Sequence, residues 1–276
     1  MAVVAFASVA GTAGSTATTL AAAVHWPRPV LALEADTSNV GTAMTGFFRS
    51  NLNSNAGMHQ VVLAHSRGAL GVDAILDPGF DISIAVHTLP PMPKMPIPSI
   101  PEGHRLWVIP GFRDLQAVQG TVGIWTRLPA LFETLDERGI DVLVDLGRLG
   151  VNDRRLTIVD GADQVVLLAS TTMNDLNRLH KRLRVEDLKD RIEGLGATKF
   201  SALLTRAPYE HVAPSYFTQA LPVLDTVDFD PEGASVFALG HEDPKPGRNR
   251  FRAGIRSAVN ALAERIEQST QTRKAG

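Results

Sequence analysis

The chain contains no cysteine among its 276 residues, which excludes a disulfide framework and any thiolate metal site. No charged side chain occurs in the first 24 residues, and no Lys or Arg precedes Arg28. A secretory signal needs a basic start and a compact apolar core, whereas Gly11, Gly14 and six Ser/Thr interrupt this run. The same residues make it too polar at its centre for a membrane span. No His-Glu-x-x-His pattern is present, and His59 and His65 are a poor fit to a helical ligand pair, so the eight histidines do not suggest a metal centre. A bulk excess of charge is missing too. The net charge is −2, but residues 244–276 hold eight Lys/Arg against two Glu, which sets a basic tail on an acidic body.

What remains is the composition of an ordinary globular protein, 44% hydrophobic and 20% charged, with a cytoplasmic location as the default. Short β-rich runs recur at 3–7, 29–35, 105–111, 141–147, 164–170, 200–205 and 221–227. Several are continuously apolar, as expected for strands covered by helices on both faces. Helical patterns fall between them at 16–24, 41–52, 122–139 and 173–196. A last one, 251–268, carries a stripe of Phe251, Ile255, Val259, Leu262 and Ile266. The expected fold is a single doubly wound, mainly parallel α/β domain over 1–276. Within it, 88–104 reads as a proline-rich connecting loop and 269–276 as a tail without fixed structure.

Residues 10–19, "AGTAGSTATT", lie between the first strand and the first helix. Backbone N–H groups in such a glycine-bearing turn form a concave nest for phosphate, and the following helix adds its positive end. Gly11 and Gly14 supply the turn, and Thr16 falls where a hydroxyl would hold Mg²⁺.

Here the chain resembles the ParA/MinD family of deviant Walker A P-loop ATPases, of the SIMIBI type. The family loop, K-G-G-x-G-K-[ST]-[ST], aligns with Ala10, Gly11, Thr12, Ala13, Gly14, Ser15, Thr16 and Ala17; both lysine positions are lost, at Ala10 and Ser15. "VLALEADTSN" (30–39) is similar to the segment that carries the family's water- and magnesium-side aspartate, here Asp36. "IDVLVDLGRLG" (140–150) resembles the Walker B strand, with Asp145 in the magnesium shell. "FSALLTRAP" (200–208) resembles the strand ending beside the base, at Thr205 and Arg206. Segments 162–183 and 221–240 resemble further parts of the family, and the nearest likeness is to actinobacterial MinD/CpaE-like proteins.

The resemblance implies ATP or ADP with Mg²⁺, held weakly, and slow or absent hydrolysis. It also implies a homodimer, and partitioning, positioning or secretion-associated work at a membrane or nucleoid with a protein partner. Arg148, three residues after Asp145, is a candidate cation in place of the lysines, with Arg28 a weaker one. A basic C-terminal helix suggests weak contact with DNA or anionic membrane. Each aspartate alone also reads as a loop cap, and Arg148 as a surface residue. Two other readings stand beside this one. The first is a pseudo-ATPase scaffold that acts through protein contacts. The second is a serine hydrolase using Ser66 in "LAHSRGALG", with Asp163 and His211 as partners, although no HGGG-type loop precedes it.

Overall fold

Successive residues of an extended strand point to opposite faces, so a strand buried on both sides needs an apolar residue at every position. The central strands meet that condition. In the computed structural model, which describes residues 2–8, 14–89, 100–119, 121, 123–209, 211–243 and 248–275, Val142, Val144 and Leu146 enter one core while Leu143 enters the other. Strands β1 (Val3–Ser8), β2 (Val30–Glu34), β3 (Ile84–Ala85), β4 (Leu106–Ile109), β5 (Asp141–Arg148), β6 (Gln164–Ser170), β7 (Phe200–Thr205) and β8 (Val223–Val227) form a sheet. Its order is β3-β4-β2-β5-β1-β6-β7-β8, and every pairing is parallel except β3 with β4. The doubly wound α/β architecture expected from the sequence is the one observed.

The helices are α1 (Ser15–His25), α2 (Met58–Ser66), α3 (Val72–Leu76), α4 (Leu115–Gln119), α5 (Leu128–Asp136) and α6 (Leu156–Gly161), followed by α7 (Met173–Leu183), α8 (Glu186–Leu195), α9 (Pro214–Thr218), α10 (Pro231–Ala238) and α11 (Arg250–Ala275). On one face α1, α10 and α11 pack together over β1, β5, β6 and β8. On the other lie residues of α2, α3, α5, α6, α7 and α8, with Trp125, Phe132 and Leu179 in their core. The 41–52 segment forms a π-helical turn, Ala43–Phe47, in place of a regular helix. Residues 90–99 of the proline-rich segment lie outside the described residues.

Helix α11 continues to Ala275, seven residues beyond the 268 boundary read from periodicity, since residues 269–275 contain no proline or glycine. All five stripe residues are buried against the body of the same chain. Arg252, one of the bases of this helix, is itself buried. Its Nε donates to Nε2 of His25 at 3.0 Å, and its guanidinium pairs with Asp243 at 2.9 Å. His25 must therefore be neutral to accept. Burial first, and then the positive charges of Arg252 and Arg256, lower its pKa to about 4. Among the described residues no helix is long and apolar enough to cross a membrane.

Candidate functional site

The site forms at the C-terminal ends of β2 and β5, where parallel α/β sheets present their loops. Gly14 caps α1 in the left-handed conformation, φ 63° and ψ 41°, which a residue without Cβ adopts freely. That geometry turns the chain into α1, so Ser15 and Thr16 start the helix and are buried beside β5. Thr16 Oγ1 donates to Asp145 Oδ2 at 2.5 Å, and the Gly147 N–H donates to Asp145 Oδ1 at 2.9 Å. Ala10, Gly11, Thr12 and Ala13 lie outside the described residues; Ala17 is buried in α1.

Asp36 is buried immediately after β2, and its Oδ1 accepts both the N–H and the hydroxyl of Ser38, at 2.8 and 2.7 Å. Its carboxylate lies against Gly147, where an added Cβ would stand 2.0 Å from Asp36 Cγ. Glycine at 147, with φ 55°, is thus what lets the two aspartates of separate strands share one place. Burial, with Asp36 adding repulsion, raises the Asp145 pKa to about 6 against the hydrogen bonds from Thr16, Gly147 and Ser15.

Two residues that sequence reasoning missed complete the surroundings. Glu34 ends β2 at 3% exposure and accepts three backbone N–H groups, from Thr42 at 2.8 Å, Ala43 at 3.0 Å and Gly111 at 2.7 Å. Burial and then Asp145 push its pKa up to about 7, although those three donors favour the charged form. Arg155 is 2% exposed and spends its guanidinium on the carbonyls of Ala35, Leu146 and Arg148 and the carboxylate of Asp153. It clamps the ends of β2 and β5 from below the aspartates. Glu34 had a signal, a charge closing an otherwise apolar strand. Arg155, in the polar run "NDRR", had none.

Arg148 ends β5 with an exposed side chain. Thr205 ends β7 at the same edge of the sheet, and the neighbouring Arg206 pairs loosely with Asp228 at 3.4 Å. Arg28 does not join them. It pairs with Asp141 at 2.8 Å, at the start of β5, because the connection it occupies lies at the opposite edge. Ser66 is also corrected. It is the last residue of α2 and donates to the Leu63 carbonyl at 2.8 Å, whereas a nucleophile elbow requires a strand-to-helix turn. Asp163, its supposed partner, lies at the far edge and accepts the Val3 N–H at 2.9 Å. No cluster of three or more His, Asp or Glu suited to a metal occurs among the described residues.

The raised carboxyl pKa values fix the sign of a pH dependence. Glu34 contributes stability that is full below 4.5 and lost as pH rises through about 7, and Asp145 acts likewise between 3.8 and about 6. His25 acts oppositely: its contribution is full above 6.5 and lost as pH falls toward about 4. Replacing His25→Gln removes one opposing titration and leaves the weaker ones of His59 and His104, whose pKa values burial also lowers. Urea midpoints should then show the variant more stable at about pH 5 than at about pH 8, by up to about 3 kcal/mol from Glu34. A profile that rises with pH would mean that the three N–H donors hold Glu34 ionised.

No family model matches the chain, and no curated protein matches it in sequence. Solved structures match in shape. A ParA family ATPase from Chlorobium tepidum has a TM-score of 0.67 at 14% identity, over 95% of this chain and 98% of that one. The cell division ATPase MinD of Pyrococcus furiosus has a TM-score of 0.64 at 16% identity, with the same coverage. The septum site-determining protein MinD of Pyrococcus horikoshii, complexed with Mg-ADP, has a TM-score of 0.62 at 13% identity, over 95% of both chains. This chain has the fold of the MinD/ParA ATPases along nearly its whole length.

Proposed function

We propose that the chain is a ParA/MinD-like positioning or partitioning protein with a degenerate nucleotide site, working as a homodimer with a protein partner. The observation that carries this reading is the joining of Thr16, Asp145 and Asp36 at the head of α1. A hydroxyl and two carboxylates are hard oxygen ligands of the kind Mg²⁺ takes, and the first turn of α1, which no side chain caps, has the N–H groups that helix N-termini offer to phosphate. The residues fit the nucleotide's metal better than its phosphates. Ser15 offers a neutral hydroxyl where the family has an ammonium, and a charged hydrogen bond contributes about 1.5–3 kcal/mol against about 1 for a neutral one. Arg148, free to turn at the exposed end of β5, is the proposed substitute cation, with Thr205 and Arg206 on the base side.

Large apolar side chains support the dimer. Val151, Met173, Tyr209 and Phe229 follow β5, β6, β7 and β8 at the edge that bears the site, and each is about half exposed or more. A second copy facing this edge would cover them and close the nucleotide between the subunits. The exposed Arg250 and Arg256 of α11 suit weak, salt-sensitive contact with DNA or anionic membrane.

Thermal unfolding with and without MgATP or MgADP tests the reading. A ligand at 100 times its dissociation constant stabilises by about 2.7 kcal/mol. The expected result is a rise only at high nucleotide concentration, lost in Asp145→Asn and reduced in Arg148→Ala, with an increase in sedimentation mass. Turnover should stay below about 1 per second. The second reading, a scaffold without nucleotide, is favoured by the loss of both lysines beside three buried carboxyl groups. Absence of any nucleotide-dependent shift would select it.

A further inference from the structure

The loop that follows β5, residues 149–155, carries the chain away from Asp145 and is fastened at two places. One is Arg155, on the ends of β2 and β5. The other is the corner where α7 meets α8. There Arg182 Nη1 donates to Asp187 Oδ1 at 2.6 Å, and its Nη2 donates to the Gly150 carbonyl at 2.8 Å. Asp187 Oδ2 accepts the N–H of Asn152 at 2.7 Å, and Asn152 holds the left-handed conformation, φ 53°, which asparagine tolerates better than most residues. The two charged side chains are only 13% and 7% exposed, so water and salt screen them less than a surface ion pair. Arg182 Nε is buried without a partner, the cost of aiming one guanidinium at Asp187 and Gly150 together.

The two fastenings are one network. The Gly150 N–H donates to Asp153 Oδ2 at 3.0 Å, and the same carboxylate accepts from Arg155 Nη2 at 2.6 Å and, through Oδ1, from Arg155 Nε at 2.9 Å. Arg155 Nη1 then donates to the carbonyls of Ala35 and Leu146, the residues before Asp36 and after Asp145. Four side chains of alternating charge, Asp187, Arg182, Asp153 and Arg155, thus join the α7–α8 corner to both aspartates of the site, with only the Gly150 peptide between the pairs. Hydrogen bonds in such a chain polarise one another, and energetic coupling travels through networks of this kind. We infer that the α7–α8 corner sets the geometry of Asp36 and Asp145, with Arg182 and Asp187 as positioning residues. A molecule that competes for either side chain at the corner loosens the site. The nucleotide role of the site rests on the proposed function, and the link itself does not.

Amide hydrogen exchange of the full chain, without nucleotide, tests the link. Two amides report the site: Ala35, which donates to the Asp145 carbonyl at 2.8 Å, and Gly147, which donates to Asp145 Oδ1 at 2.9 Å. Asp187→Ala and Arg182→Met should each speed exchange at both by about tenfold. Ala202 and Arg206, which donate to the carbonyls of Pro222 and Val227 across β7 and β8, should keep their rates. A purely local clasp would move only residues 150–152. Coupling is reciprocal, so Arg155→Lys should in turn speed exchange of Asn152, whose N–H is held by Asp187 and not by Arg155. The inference is overturned if Ala35 and Gly147 keep their rates in both corner variants, or if Ala202 and Arg206 quicken equally. Unchanged exchange of Asn152 in Arg155→Lys overturns it as well. Absence of MgATP binding would remove the nucleotide reading and leave these exchange results standing.

Discussion

Removal of residues 249–276 is expected to leave a chain that neither folds nor stays soluble. Helix α11 lays Phe251, Ile255, Val259, Leu262 and Ile266 onto α1, α10 and β8, none of them more than 7% exposed. Burying each such side chain contributes about 1.5–3 kcal/mol, so five together approach the entire stability of an ordinary domain, about 5–15 kcal/mol. Truncation would also uncover the sides of α1, α10 and β8 on which α11 packs. A milder version of the same test is Leu262→Ala, which should cost about 2–5 kcal/mol and leave a folded protein with a lower urea midpoint. Far-ultraviolet circular dichroism and sedimentation check both. A truncated chain that stays soluble and equally stable, but no longer sediments with anionic vesicles, would identify α11 as a membrane anchor.

Arg155→Met should lower stability by about 3–5 kcal/mol, the cost of breaking a buried charge network by removing one partner. The methionine fills much of the volume but leaves the carbonyls of Ala35, Leu146 and Arg148 and the carboxylate of Asp153 without their donor. Ala35 and Leu146 each adjoin an aspartate of the site, so the loss loosens Asp36 and Asp145 along with the fold. Arg155→Lys should recover only part of the difference, since one ammonium cannot span carbonyls on separate strands as a planar fork does. Urea unfolding of the three proteins gives the ranking. Equal midpoints for lysine and arginine would show that charge alone matters at this position.

Seven of the eight strands could be read from the sequence because a strand covered on both faces needs a long apolar run, and few other structures do. Strand β3 could not: it has two residues, Ile84–Ala85, too few to set a pattern. The 41–52 segment reads from its sequence as a helix or a broken helix, and the π-helical turn it forms answers to a distant group. Glu34 takes the N–H of Thr42 and Ala43, and the sequence does not show that pairing. Asp36 and Asp145 were legible as strand-end carboxyls, but their nearness depends on the missing side chain of Gly147. Arg155 was hidden because Arg154 beside it is exposed and chemically identical, and only the packing of β2 against β5 separates them.

The order of the sheet also governs when the chain can fold during synthesis. Strand β1 lies between β5 and β6, with Val3 opposite Val142 and Val4 opposite Gln164, so neither neighbour exists until about 140 further residues have been made. At about 5–20 residues per second, that delay is roughly 7–30 seconds. Throughout it, an uncharged segment from Ala2 to Val24, destined for the middle of the molecule, has no sheet partner. Pairings so distant in sequence also slow refolding from denaturant. This nascent segment is therefore a ready client for ribosome-associated chaperones until β5 and β6 have been made.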